Sequence, residues 1–396
     1  MNNERWLLPE GIDEVLPPQA WSLETLRREL LDLFHGWGYE LVIPPFIEYL
    51  ESLLSGAGGD LDLKTFKLTD QMSGRLMGVR ADMTPQAARM DAHQMRRDVP
   101  TRLCYLGTVL HTRSDGLGAS RNPLQIGAEL FGHAGVESDV EVLCLMMEML
   151  KRTGVKQIHL DLGHVGIFRG LARQAGLDAS GEQALFDALQ RKAVPEIRSL
   201  LEALEVAAPE AGMLEALAEL NGDDALERAG DALAGADTRV REALGYLEQV
   251  AAAVRRRLPD VPLHFDLGEL RCYHYQTGVV FAAFVPGLGQ EIARGGRYDA
   301  IGEVFGRARP ATGFSADLKT LLRIGEYLQA PPAGEGGILA PWSDDPALHA
   351  KIDELRARGR RVIFALPGQA GDAGDMGCEQ RLGKQGDAWV LSPVND

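Results

Sequence analysis

The feature that most constrains the fold is the segment TRLCYLGTVLHTRSDGLGASRNPLQIGAELFG, residues 101–132. Apolar and β-branched residues bracket the polar stretch 113–122, and this pattern predicts two strands joined by a long connection. Side chains alternate faces along a strand, so Gln125, Gly127 and Glu129 share one face and the apolar residues between them share the other. A polar face with a bare glycine floor suits a small polar ligand. The strand alone also allows an ordinary amphipathic strand whose polar face meets solvent.

Composition narrows the class of protein. A chain of 396 residues with 45% hydrophobic and 25% charged residues is typical of a soluble globular protein of two or three domains. The net charge of −16 disfavours nucleic acid as a partner, because such binding depends on lysines and arginines that displace counterions. The four cysteines form no CxxC pair, which indicates reduced thiols in a cytoplasmic protein without a metal site. No export signal or membrane-spanning run is present, so we expect no membrane association.

Periodicity predicts the order of elements. Apolar residues at helical spacing predict a helix from about Leu23 that Gly36 ends, followed by a strand over Tyr39–Ile43. The stretch 64–80 predicts a hairpin with its tip at Met72-Ser73-Gly74. The spacing of Ser138 and Glu141 predicts a capping box that opens the next helix.

The second half predicts a helical insertion and a small terminal domain. Residues 175–257 are rich in Ala, Leu, Glu and Arg, which favours helices. Residues 1–328 form the predicted core domain, and a Pro-Pro-Ala-Gly linker separates it from an α/β domain over residues 335–396. In this small domain we predict strands at 337–340, 361–365 and 388–391, a helix at 346–358, and a glycine-rich turn before the last strand.

Three further motifs carry candidate ligand contacts. In RADMTP, Asp82 and Thr84 precede a helix that starts near Pro85; Thr84 is alternatively only the helix cap. In LRCYHYQTGVVFAAF, alternation places Arg271, Tyr273 and Tyr275 on one face with Thr277, where the arginine can pair with a carboxylate and the tyrosines can flank a flat ring. The alternative is an exposed cross-strand aromatic ladder. The third motif, RGGRYD, has paired glycines that let a ligand approach closely.

The order of these motifs resembles the catalytic core of histidyl-tRNA synthetase over about residues 5–325. The resemblance implies an α+β fold with a class II synthetase-like antiparallel sheet flanked by helices. GYELVIPPFIE is similar to the first class II motif, at the dimer interface, and residues 101–132 are similar to the second. It also implies a histidine-binding set, made of Asp82, Thr84, Gln125, Glu129, Arg271, Tyr273, Tyr275 and Tyr298.

The departures from the synthetase concern its ATP chemistry. Where the second motif has phenylalanine-arginine-x-glutamate, this chain has Leu110-His111-Thr112-Arg113. Where the third has glycine-leucine-glutamate-arginine, it has Asp317-Leu318-Lys319-Thr320. Both signature arginines are absent, and losing one such contact costs on the order of 10²–10³ in rate, so we expect no adenylate formation and no catalytic residue.

A synthetase-like core that keeps its amino-acid pocket resembles the regulatory subunits of ATP phosphoribosyltransferase, in the first step of histidine biosynthesis. This resemblance implies a non-catalytic subunit without a cofactor, which binds L-histidine and regulates a short-form catalytic subunit. It implies a homodimer within a hetero-octamer. It also implies that Glu129 accepts from the imidazole, that Gln125 and Asp82 take the α-amino group, and that Arg271 meets the carboxylate. Gln276 stands where the synthetase has a second tyrosine.

Two other functions fit the sequence. One is a divergent class II enzyme that activates histidine or an analogue, and the other is a dimeric scaffold whose pocket is vestigial.

Overall fold

The computed structural model describes residues 6–55, 59–114, 120–269, 275–329 and 336–394. The chain divides into two compact units, residues 1–327 and 328–396. The predicted ligand residues Arg271 and Tyr273 lie outside the described ranges.

The helices of the described residues have the following bounds. They are α1 (Gln19–Gly36), α2 (Leu50–Leu53), α3 (Gly59–Lys64), α4 (Thr84–Arg89), α5 (Val136–Arg152), α6 (Val165–Gln174), α7 (Ala179–Gln190), α8 (Val194–Ala203), α9 (Ala208–Ala216), α10 (Ala225–Ala232), α11 (Thr238–Arg257), α12 (Leu318–Ile324) and α13 (Pro346–Ala357). A π-helical turn, Met90–Met95, continues α4, and 3₁₀ turns lie at Glu303–Phe305 and Glu326–Gln329.

The strands of the described residues have the following bounds. They are β1 (Glu40–Leu41), β2 (Ile47–Tyr49), β3 (Lys67–Thr69), β4 (Leu76–Val79), β5 (Thr101–Thr108), β6 (Leu124–Phe131), β7 (His159–His164), β8 (Asn221–Gly222), β9 (Leu263–Asp266), β10 (Val279–Phe284), β11 (Ala293–Arg297), β12 (Ala311–Asp317), β13 (Gly337–Pro341), β14 (Val362–Ala365), β15 (Cys378–Gln385) and β16 (Ala388–Pro393).

A large sheet organises the first unit. Its described strands run in the order β1-β5-β6-β12-β11-β10-β7-β9-β8. The pairs from β5 through β7 are antiparallel, whereas β1 pairs with β5 and β7 pairs with β9 in parallel. The antiparallel centre of the predicted fold is therefore confirmed.

The apolar face of β6 packs against the helical layer, as the alternation predicts. Ile126, Ala128 and Leu130 belong to one continuous core that includes α1 and α5. In α1 the buried residues Leu26, Leu30 and Phe34 recur every four positions, which places them on one side of the helix. This packing leaves the opposite face of the sheet centre for the candidate site.

The hairpin and the helical insertion also match the sequence. β3 and β4 pair in antiparallel around residues 70–75, with Asp70 N donating to Arg75 O at 2.8 Å. Helices α7 to α11 fill most of the insertion, and α11 packs against α5 and α6.

Three local predictions in the first unit differ from the structure. The strand predicted over Tyr39–Ile43 is present but limited to β1, because Tyr39 N donates to Phe34 O at 3.0 Å at the end of α1 and not to a neighbouring strand. Ser138 does not open a capping box, because α5 begins at Val136 and the Ser138 hydroxyl donates to Gly135 O within the first turn.

The third difference concerns the strand predicted to carry Tyr275. β10 begins only at Val279, so Tyr275 and Thr277 precede the strand instead of alternating along it. Thr277 Oγ1 accepts from Asp299 N at 2.9 Å, which fixes this approach to the strand through a loop contact.

The second unit is a four-stranded mixed sheet in the order β14-β13-β15-β16, with α13. Its apolar core includes Ile338, Leu348, Ile352 and Leu382. The glycine-rich turn predicted before the last strand is in part strand β15, which pairs with β13 and β16.

Candidate functional site

A cleft, partly open to solvent, lies over the polar face of the large sheet. The predicted ligand residues that line it are Asp82, Thr84, Glu129, Tyr275 and Tyr298. Gln125 lies directly behind this lining. The sheet face is therefore a cleft and not the solvent-exposed amphipathic surface that β6 alone also allowed.

Glu129 is the most buried carboxylate of the cleft. Only 1% of its surface is exposed, and two tyrosine hydroxyls donate to it: Tyr105 to Oε1 at 2.8 Å and Tyr298 to Oε2. Burial raises the pKa of Glu129 to about 8, although the two hydroxyl bonds act in the opposite direction. A carboxyl held in this way can give or accept a proton near neutral pH.

Gln125 supports the cleft from behind. Its Oε1 accepts from Met83 N at 2.9 Å, and its Nε2 donates to Asp82 Oδ1 at 2.8 Å. Both polar ends of the carboxamide are thus used within the protein, and the side chain fixes the orientation of Asp82. Asp82 Oδ1 also accepts from Thr84 N at 2.9 Å, and Oδ2 accepts no hydrogen bond from the described residues.

Thr84 belongs to the hydrogen-bond chain of the cleft. It is the first residue of α4, and Met83 holds the cap position without a side-chain cap bond. The hydroxyls of Thr84 and Tyr105 lie 3.0 Å apart. Because Tyr105 donates its proton to Glu129, Thr84 donates to Tyr105. The interpretation of Thr84 as a simple helix cap is wrong.

Sequence reasoning missed Tyr105. This residue lies on β5 directly opposite Gly127, and a Cβ at Gly127 would stand 2.5 Å from the Tyr105 hydroxyl oxygen. The glycine floor thus makes room for a protein hydroxyl that holds Glu129. The sequence does place a tyrosine in the strand that pairs with β6. Recognising it as a site residue requires the register of the two strands, which the sequence alone does not give.

Two tyrosines form an aromatic wall beside Glu129. The rings of Tyr275 and Tyr298 meet edge to face, with centroids 6.2 Å apart and an interplanar angle of 69°. Tyr275 is half-buried, so the exposed aromatic ladder does not describe it. Gln276 follows Tyr275 and also lines the cleft.

The connection after β5 is tied to the N-terminal segment. Arg121 N donates to Gly11 O at 2.6 Å, and its guanidinium donates to Glu10 O and His111 O, each at 3.0 Å. Nε2 of His111 lies 2.9 Å from Ala81 O. His111, which stands at the position of the signature arginine, therefore contacts a protein carbonyl, whereas Arg113 is exposed.

The start of α12 is closed by Asp317. Its carboxylate accepts from Lys319 N at 3.2 Å, from Thr320 N at 3.3 Å and from the Thr320 hydroxyl at 2.7 Å. It also accepts from Leu124 N at 2.9 Å. The Asp317 carboxylate thus occupies the N-terminus of α12. The Lys319 ammonium pairs with Asp13 at 3.1 Å.

A buried ion pair supports the end of β11 next to Tyr298. Arg297 is 5% exposed and donates to Asp139 Oδ1 at 3.0 Å and to Ser138 Oγ at 2.8 Å. Asp139 is fully buried and also accepts from the Tyr246 hydroxyl at 2.6 Å. This network anchors β11 to α5 and α11.

Comparison with known families gives two matches. A family model described as histidyl-tRNA synthetase matches residues 11–321. A second one, described as the C-terminal domain of the ATP phosphoribosyltransferase subunit HisZ, matches residues 335–392.

Curated relatives and a solved structure agree with these matches. The chain is 61% identical to an ATP phosphoribosyltransferase regulatory subunit of Alkalilimnicola ehrlichii, over 99% of this chain and 98% of the relative. It is 63% identical to the same-named protein of Thioalkalivibrio sulfidiphilus, over 97% of each. A crystal structure of an ATP phosphoribosyltransferase regulatory subunit/histidyl-tRNA synthetase from Bacillus halodurans C superposes with a TM-score of 0.81 at 26% identity, covering 94% of this chain and 95% of that one. The class II synthetase-like fold expected from the motifs is thus confirmed.

Proposed function

The chain belongs to the family of ATP phosphoribosyltransferase regulatory subunits, and on this premise we propose that its cleft binds L-histidine and regulates a short-form catalytic subunit. One observation carries the proposal. Glu129 is a buried carboxylate that two tyrosine hydroxyls hold at the floor of a cleft with an aromatic wall. A ring with a polar N–H group complements this arrangement.

The charges of the cleft support an amino acid with a cationic end. Besides Glu129, the lining includes four acidic residues, Asp82, Asp161, Asp266 and Glu269, and the basic residue Arg294; Asp266 is paired with Lys192 at 2.6 Å. Asp82 offers Oδ2 to the α-ammonium group, and Gln125 and Thr84 hold the other oxygen of this carboxylate. We assign the imidazole to Glu129 and the ring contact to Tyr275 and Tyr298. Arg271 and Tyr273 complete the proposed set, with the arginine on the ligand carboxylate.

Two features support regulation in place of adenylate chemistry. The carboxylate of Asp317 occupies the start of α12, where it would repel a phosphate group. No arginine stands at the signature position in the connection after β5, and His111 there faces Ala81 O. Histidine-dependent exchange of pyrophosphate into ATP is therefore expected to be absent.

Regulation requires that histidine bind the active and inhibited assemblies with different affinity. A typical coupling of about 1–3 kcal/mol would shift the activity of the partner about 5- to 150-fold. The same coupling acts in reverse, so the catalytic subunit changes the affinity of this chain for histidine by the same factor.

We further propose a homodimer within a hetero-octamer, located in the cytoplasm. The segment between β1 and β2 exposes large apolar side chains, with Ile43 82% exposed and Phe46 44% exposed, as a subunit interface would before assembly. The cysteines of the described residues are free thiols, which fits a reducing compartment.

Calorimetry and a coupled assay test the proposal. The full chain should bind L-histidine, and Glu129→Gln should weaken binding at least about tenfold, because a charge-assisted bond is lost. Glu202→Gln is the matched control, since Glu202 is exposed on the helical insertion. Co-expression with a short-form catalytic subunit should give a complex whose activity responds to histidine. A folded sample without measurable binding at millimolar histidine would contradict the proposal.

A further inference from the structure

The Gln276 side chain holds a buried acceptor that the protein does not satisfy. Gln276 is 4% exposed, and its Nε2 donates to Gly295 O at 3.3 Å. Its Oε1 is buried without a hydrogen-bond partner. A carbonyl oxygen only accepts, so the contact with Gly295 identifies the nitrogen end and leaves the oxygen end free. An unpaired buried polar atom is costly, which points to a ligand that completes it.

The side chains of Gln276 and Glu129 lie over the same part of the large sheet. Gly296 pairs directly with Gly313, which in turn pairs with Glu129 on β6. A Cβ at Gly313 would overlap the Glu129 carboxylate, and a Cβ at Gly296 would stand 2.7 Å from Gln276 Nε2. The two polar groups therefore lie on the same face of the sheet, over adjacent strands, and both line the cleft.

Both groups act as acceptors toward a ligand. The hydroxyl protons of Tyr105 and Tyr298 are already donated to Glu129. An ionised carboxylate has about four acceptor positions, so Glu129 keeps capacity for a further donor. A ring that satisfies Glu129 and Gln276 together must offer two N–H groups.

We propose that the cleft binds histidine in its imidazolium form, with one ring N–H donated to Glu129 and the other to Gln276 Oε1. Gln276 is then a specificity-determining residue. This inference rests on the proposed function of the same cleft.

Near neutral pH, the binding of histidine as an imidazolium needs no proton from solvent. Burial raises the pKa of Glu129 to about 8, so the empty cleft holds a proton on this carboxyl at pH 7. On binding, that proton moves from Glu129 to the neutral ring, which leaves a carboxylate and an imidazolium and exchanges no proton with solvent. Above about pH 8 the proton must come from solvent, and affinity should fall about tenfold per pH unit.

The groups around Glu129 and Gln276 favour the imidazolium form of the bound ring. Thr84 and Tyr105 face Glu129 from α4 and β5, and Asp82 adds a nearby negative charge that raises its pKa. On the side of Gln276, Arg169 donates to the Gln276 backbone carbonyl at 2.6 Å. The remaining charged groups lie on the rest of the cleft lining: Asp161, Asp266, Glu269 and Arg294.

Ring-methylated histidines give the decisive test with the full chain. Methylation of either ring nitrogen should weaken binding about 10- to 100-fold in calorimetry, because each nitrogen donates a charge-assisted bond. Gln276→Met should weaken the binding of histidine to a similar degree. In this variant one of the two ring-methylated histidines should bind as well as histidine, and the other should still bind more weakly. Gln190→Met, on the exposed side of α7, is the matched control. Equal binding by Gln276→Met, with both methyl penalties intact, would overturn the inference and leave the proposed function standing.

A second measurement needs no variant. In nitrogen NMR at pH 7.5, ¹⁵N-labelled histidine bound to the wild-type chain should show two protonated ring nitrogens, whereas free histidine is mostly neutral there. One protonated and one unprotonated nitrogen in the bound ligand would overturn the inference. A wild-type chain that binds no histidine would overturn the inference and the proposed function together.

Discussion

The Glu129 side chain lies flat across the neighbouring strand at Gly313, so closely that a Cβ on Gly313 would overlap its carboxylate. Such a Cβ would also stand 2.7 Å from Ala128 O, which is backbone and cannot move aside freely. The absence of a side chain at Gly313 is therefore a condition for the position of Glu129, although the two residues are far apart in sequence.

Gly313→Ala should lower the free energy of unfolding by about 1–3 kcal/mol and weaken histidine binding, because the methyl group displaces Glu129. Urea unfolding and calorimetry measure the two effects. In a Glu129→Ala background the same substitution should cost clearly less, since only the contact with Ala128 O remains. Gly245→Ala, in α11 with open space around its Cβ, should stabilise by up to about 1 kcal/mol. An equal cost in both backgrounds would contradict the proposed cause.

Glu129 should make stability depend on pH with a defined sign. Its pKa is about 8 in the folded chain against an ordinary value of 4.5, so between these pH values the folded state holds a proton that the unfolded state has released. This stabilisation is complete below about pH 4.5 and is lost as the pH rises through about 8. The slope is at most about 1.4 kcal/mol per pH unit.

Urea unfolding of the wild type and Glu129→Gln between pH 5 and 8 isolates this dependence. The amide does not titrate, so the wild type should lose stability relative to the variant as the pH rises. Glu202→Gln should follow the wild type. Parallel curves for wild type and Glu129→Gln would contradict the raised pKa.

The residues of β6 that face the cleft can be predicted from the sequence, whereas the side chains that hold them in place cannot. Alternation along β6 separates Glu129 from the core residues Ile126 and Ala128, because side-chain direction in a strand depends only on neighbouring residues. Tyr105 reaches the site because the register of β5 and β6 places it opposite Gly127. Register is set by contacts across the sheet, which single-strand patterns do not contain.

Gln125 shows the same limit. Its position on the ligand-facing side of β6 is predictable, but its bonds to Met83 N and Asp82 depend on a loop that is distant in sequence. In the small domain, β15 was missed because only Cys378 and Leu382 are fully buried in a polar stretch. Pairing with β13 and β16 stabilises it as a strand.

Asp317→Ala should lower the free energy of unfolding by about 1–2 kcal/mol, because the carboxylate caps α12 and also holds Leu124 N. Asp317→Asn keeps one acceptor oxygen and should cost less. Asp32→Ala, at an exposed position of α1, is the matched control and should stay within about 0.5 kcal/mol. Urea unfolding measures all three, and equal stability of Asp317→Ala and wild type would contradict the capping role.

Arg297→Met should be the most destabilising of these changes, because it leaves the Asp139 carboxyl without its ion-pair partner in the core. Burial raises the pKa of Asp139 and Arg297 counteracts this, so without Arg297 the carboxyl must be buried as an unpaired anion or take up a proton. Removing one member of a buried ion pair costs about 3–5 kcal/mol. Arg297 also precedes Tyr298, whose hydroxyl holds Glu129, so the variant should bind histidine more weakly wherever it remains folded. Urea unfolding at low temperature and calorimetry measure the two losses.

The double variant Arg297→Met with Asp139→Leu separates the ion pair from simple loss of packing. Asp139 is fully buried, and its main partners besides Arg297 include the Tyr246 hydroxyl. With both charges removed, the isolated carboxylate no longer has to be buried, so the double variant should be more stable than Arg297→Met alone. If the two costs simply add, the stabilising role of the Arg297–Asp139 pair is contradicted. If stability recovers while histidine affinity stays low, the guanidinium positions Tyr298 for the cleft in addition to neutralising Asp139.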